Sequence, residues 1–90
     1  MRNVFKYHLD SKDTVLSLAE SAKIRKIAQQ HGRMVVWAEV DTAEKNKLYE
    51  IRAFCTGEPL PSDINEYDFI DTVLLNGGDI VLHFYGRWGK

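Results

Sequence analysis

The sequence predicts a mainly β domain, built as a single antiparallel sheet or a small β-sandwich of about five to six strands. Three observations carry this expectation. Phe5, Tyr7 and Leu9 alternate with Val4, Lys6 and His8, the period of a half-buried strand. Met34-Val35-Val36-Trp37-Ala38-Glu39-Val40 is crowded with β-branched and aromatic residues that suit a pleated surface. Asn76-Gly77-Gly78 then separates two apolar segments as a hairpin turn does, because Asn and Gly reach positive φ at little cost.

Taken in order, residues 3–9 form a first strand, and Asp10-Ser11-Lys12-Asp13 is a polar turn before a short apolar segment at 15–18. Residues 17–31 admit two readings. Ser17 with Glu20 fits a capping box, the residues that follow are good helix formers, and Gly32 would stop a helix. Against this, Ala22, Ile24, Ile27 and Ala28 make only a thin helical stripe, and His31-Gly32 equally forms a two-residue turn into the next strand. The helical reading would make the class α+β. Residues 48–56 alternate again, with Tyr49, Ile51, Ala53 and Cys55 on one face and Leu48, Glu50, Arg52 and Phe54 on the other. Gly57-Glu58-Pro59-Leu60-Pro61 breaks the strand, since proline donates nothing to a ladder, and 62–68 suits a short helical turn. Residues 69–75 and 79–85 complete a hairpin.

A chain of 90 residues supports one hydrophobic core, so residues 1–90 are read as one domain. The net charge of −1 comes from acids and bases interspersed along the sequence, which argues against a field that would steer a nucleic acid. Apolar runs fall far short of the roughly 18 residues that span a bilayer, and the N-terminus lacks a signal peptide's apolar stretch. A cytoplasmic location in a bacterial host cell, with no membrane partner, is expected. Cys55 is the one cysteine, so no internal disulfide or multi-cysteine metal site forms.

Several stretches, in order and spacing, resemble a family of small, functionally uncharacterised β-rich domains of bacteriophages and bacteria. They are Val4-Phe5-Lys6-Tyr7, Ala22-Lys23-Ile24 leading to His31-Gly32, Trp37-Ala38-Glu39-Val40-Asp41, Cys55-Thr56-Gly57-Glu58-Pro59-Leu60-Pro61, Phe69-Ile70-Asp71-Thr72-Val73, Asn76-Gly77-Gly78 and Val81-Leu82-His83-Phe84. The resemblance implies a compact antiparallel sheet in which residues 22–30 are extended. The chain departs from the pattern at Ala19 and Ser21, where Pro and Gly are associated with the family, and at Glu58, where His is. The resemblance transfers no catalytic residue.

Chemistry-bearing residues are sparse in pattern. His8, His31 and His83 would form a metal site only if the first and last strands were neighbours, and no HxH or HxxxH pair occurs, so neither metal nor cofactor is expected. Cys55, a histidine and Asp71 make up a nucleophile, base and acid that any soluble protein contains; a small buried hydrophobe is the simpler role for Cys55. Asp63, Glu66, Asp68 and Asp71 read as a solvated acidic loop. Asn76-Gly77-Gly78 is a turn and lacks the pattern of a phosphate loop. Arg52, Tyr85, Arg87 and Trp88 are the expected ligand contacts, in a crevice between subunits of a homo-oligomer that hides exposed strand edges. The expected function is that of a non-enzymatic accessory binding protein of a phage or mobile element, counteracting a host defence by binding a host protein or sequestering a small molecule. A small hydrolase or transferase acting on a nucleotide-like metabolite, and a virion structural or assembly component, are the alternatives.

Overall fold

The computed structural model describes residues 1–89. Its strands are β1 (Arg2–His8), β2 (Asp13–Ala19), β3 (Lys23–Gln30), β4 (Arg33–Asp41), β5 (Asn46–Cys55), β6 (Asp68–Leu75) and β7 (Ile80–Trp88). They form two sheets, a three-stranded one in the order β1-β4-β3 and a four-stranded one in the order β2-β5-β7-β6. Every pairing is antiparallel. The architecture is the expected mainly β class, with two sheets and more strands than the five or six anticipated. The helical turn expected within 62–68 is a single 3-10 turn at Ile64–Glu66.

Residues 17–31 are strand, turn and strand. Ser17 to Ala19 end β2, the Ala22 N–H donates to the Ala19 carbonyl to close a tight turn, and β3 then pairs with β4. The thin apolar stripe explains why a helix loses here. In β3, Ile27 is 1% exposed at the centre of the core while Lys26 beside it faces solvent, and the extended form gains the ladder with β4 that a helix would forgo. His31 and Gly32 both hold positive φ, 51° and 79°, and join Gln30 to its partner Arg33, as a two-residue turn of this hand requires.

Each sheet turns one face inward. Tyr7, Ile24, Ile27 and Val36 from the first sheet meet Leu16, Leu18, Tyr49, Ile51, Ala53, Val73 and Phe84 from the second. Ile27, Leu18, Ile51 and Val36 are at most 2% exposed, and burial of each such side chain stabilises the fold by about 1.5–3 kcal/mol. The sheets meet along one side, where β3 lies beside β6. Both strands carry a bulge there, between Ile24 and Lys26 and between Phe69 and Asp71. The Ile27 N–H donates across the seam to Asp71 Oδ2 at 3.3 Å, so a carboxylate takes the place of a strand partner. β1 and β2 are the outer edges of their sheets at the opposite side.

Gly86 fixes how β5 and β7 pack. The buried Tyr49 ring lies over its backbone so closely that an added Cβ would stand 2.5 Å from the Tyr49 hydroxyl. Gly86→Ala must therefore displace a core side chain, at an expected cost of about 1–3 kcal/mol. Urea unfolding checks this: the midpoint should fall with an unchanged slope, and an unchanged midpoint would show that the ring moves freely.

Candidate functional site

Strand alternation gathers the candidate residues on the outer face of the four-stranded sheet. In β5 the inward side chains are Tyr49, Ile51 and Ala53, so Glu50, Arg52 and Phe54 point outward. The β5–β7 register sets Glu50 opposite Arg87 and Arg52 opposite Tyr85, and the β6–β7 register adds Phe69 beside Tyr85. The Ile64–Glu66 turn delivers Asp63, Glu66 and Tyr67 to the same face.

The guanidinium groups are stacked and paired. Arg87 lies 4.3 Å from the centroid of the Tyr67 ring, and Arg52 lies 5.7 Å from that ring and 5.3 Å from Phe54. The Arg87 Nε donates to Glu50 Oε2 at 2.7 Å and its Nη1 to Glu66 Oε1 at 2.9 Å, while Tyr67 donates its hydroxyl to Glu50. Arg52 Nε donates to Asp13 at 3.3 Å, and Asp63 stands 3.8 Å from its Nη1. Tyr85 meets Phe54 and Phe69 edge to face, with centroids 5.9 and 5.4 Å apart. A shallow hollow of about 370 Å³ opens between Asp13, Val15, Arg52, Asp63, Tyr67 and Arg87. Around it Phe69 remains 56% exposed and Val15 58%. Such a surface offers broad, rigid contacts of the kind enriched at binding interfaces.

Arg52, Tyr85 and Arg87 thus share one face. Trp88 does not join them: it pairs with Tyr49 in the β5–β7 register, and the two rings pack edge to face at 5.0 Å on the core side. Phe54, Tyr67, Phe69 and Glu50 complete the site and were not among the expected contacts. For Phe54 and Glu50 the signal was present, since both share the parity of Arg52 along β5. Tyr67 depends on how the turn folds back, which no periodicity encodes.

The other candidates are dispersed. His8 lies on β1 and His83 on β7, in different sheets, and His31 sits in the β3–β4 turn. His83 is held between two hydroxyls, Thr56 Oγ1 at 2.7 Å from Nε2 and Thr72 Oγ1 at 2.9 Å from Nδ1. Cys55 is exposed rather than buried, because it ends β5 where the chain leaves the sheet. Its N–H donates to Glu58, whose carboxylate also takes the Lys12 ammonium at 2.7 Å. Of the acidic residues at 63–71, Asp63 and Glu66 face the arginines and Asp71 bonds β3.

Charges interspersed in the sequence become segregated in the fold. The outer face of the three-stranded sheet carries Arg2, Lys6, Lys23, Arg25 and Lys26 around the half-buried Trp37, with Glu39 as their acidic neighbour. Arg2 and Arg25 both bond Glu39 and hold its carboxyl below the usual range. Among the described residues, Lys23 and Lys26 have no ion-pair partner.

This is a small two-sheet β domain with an arginine–aromatic outer face and a basic face opposite. Over residues 1–90 it matches a family described as Domain of unknown function (DUF7352), and the chain belongs to that family, in keeping with its resemblance to uncharacterised β-rich domains. No curated protein and no solved structure matches it.

The ion pairs set an acid response. Hydrogen bonding to Arg87 holds the Glu50 carboxyl below its ordinary range, as Lys12 does for Glu58. Carboxyls depressed in the folded state bind more protons when unfolded. Their contribution is therefore complete above the ordinary Glu value of about 4.3 and is lost as pH falls through the lower folded values. The melting temperature should fall on acidification below about pH 4.5, and Arg87→Met should make that fall shallower. An equally steep fall in the variant would show that Arg87 is not what depresses Glu50.

Proposed function

We propose that this chain is a non-enzymatic accessory binding protein of a phage or mobile element. On this reading it acts in the cytoplasm of a bacterial host and counteracts a defence by occupying a host protein. The observation that carries the reading is the arginine–aromatic face of Arg52, Tyr67, Phe69, Tyr85 and Arg87, laid over the buried Phe54 ring. Its arginines are already paired with carboxylates and stacked on rings, so the face is rigid before anything binds. The hollow is open, which suits a protein surface better than an enclosed metabolite. A small hydrolase or transferase has less support, because His83 is engaged by two threonine hydroxyls rather than oriented by carboxylates. The chain works as a homo-oligomer, since β1 and β2 leave unpaired edges.

The test is native mass spectrometry of the chain isolated from bacterial cells, beside Phe69→Asp. Phe69 is exposed, so this variant keeps the core. A co-isolated protein should bind the variant at least about tenfold more weakly, the scale of an interface hot spot. A small-molecule adduct that Phe69→Asp retains would overturn occupation of a protein in favour of sequestration.

A further inference from the structure

The two outer edge strands are complementary to each other. Along β1, Leu9 N–H donates to the Met34 carbonyl and Thr42 N–H to the Met1 carbonyl, which marks the odd-numbered residues as those bonded to β4. The N–H and C=O groups of Arg2, Val4, Lys6 and His8 therefore point away from the sheet. Along β2, Ala53 N–H donates to the Lys12 carbonyl and Glu20 N–H to the Lys45 carbonyl, so the even-numbered residues bond β5. The free groups there belong to Val15 and Ser17 and to the Asp13 N–H, the Asp13 carbonyl accepting from Ser11 Oγ at 2.6 Å.

We infer that a second copy of this chain covers these edges, with β1 of each copy pairing antiparallel with β2 of the other. The register sets Lys6 opposite Asp13, Val4 opposite Val15 and Arg2 opposite Ser17. All these side chains stand on the outer faces, so each pair meets on the same side of the joined sheet. The register unites the two exposed valines, each 58% exposed, and places an ammonium against a carboxylate. A lysine on an edge strand ordinarily blocks pairing, but Asp13, which takes Arg52 Nε on Oδ1, supplies a counter-charge to Lys6, whose ammonium otherwise bonds the neutral Gln30 amide oxygen. Antiparallel pairing of β1 with a second β1 about Val4 would instead bring Arg2 of each copy against Lys6 of the other, cation against cation. The inner side adds a reason for closure: Phe5, on the core-facing row of β1, is 43% exposed beside a hollow of about 210 Å³ that Tyr7, Ala19 and Val40 also line. The exchange is isologous, so two copies close the assembly.

The inference rests on the homo-oligomer reading, and the experiment separates the two. Subunit mass in solution should be that of a dimer. Lys6→Asp should weaken dimerisation by roughly tenfold or more, as Asp13→Lys should, and the double exchange should restore it. Val4→Cys with Val15→Cys, in a Cys55→Ser background, should give a disulfide-linked dimer, because opposed residues in such a pair lie about 5.5 Å apart. A monomeric wild type would overturn the oligomer and this pairing together. A dimer indifferent to both charge reversals and not crosslinked by the cysteines would overturn the pairing alone. Crosslinking by Val4→Cys on its own would overturn it in favour of β1 against β1.

Discussion

Tyr49 lies across the backbone of Gly86, and the β5–β7 alignment at that point decides much of the remaining arrangement. Because the ring is accepted where no Cβ stands, Ile51 pairs with Gly86 and the neighbouring rows follow: Glu50 against Arg87, Arg52 against Tyr85. A slip of one residue would turn each outward side chain of β7 into the core and each core side chain out. The same alignment draws Trp88 onto the Tyr49 edge. Core packing and the surface site are consequences of one register.

Period two also governs the electrostatics. Along the sequence the acids and bases look evenly mixed, and strand parity turns them outward onto the outer faces of the two sheets in different proportions. On the four-stranded sheet the sorting yields compensated arginines, with Glu50, Glu66, Asp13 and Asp63 around Arg87 and Arg52. On the three-stranded sheet it yields clustered lysines and arginines beside Glu39. These exposed pairs add little to stability in water. They order the faces instead.

The strand pattern was legible where alternation was strong, as in β1 and β5, or where β-branched and aromatic residues crowded together, as in β4, and the turn at Asn76–Gly78 announced itself through residues that tolerate positive φ. Residues 17–31 were ambiguous because Ala, Lys, Arg and Gln suit a helix, and only pairing with β4 made the extended form pay. Arg52, Tyr85 and Arg87 could be singled out, but not their companions from the turn before β6. Cys55 was misread because burial depends on whether the sheet continues beyond it, and here the chain turns away.

The sequence by itself determined a β-rich class, the positions of most strands, the turn at Asn76–Gly78 and the parity of β1 and β5, because these depend on neighbours a few residues apart. Only the tertiary structure decided that the strands divide into two sheets, which side chain stands across from which, and that Trp88 belongs with the core side while Tyr67 belongs with the arginines. Those outcomes depend on register and on contacts between residues distant in the chain, such as Ile27 with Asp71 and Tyr49 with Gly86, which local pattern does not encode.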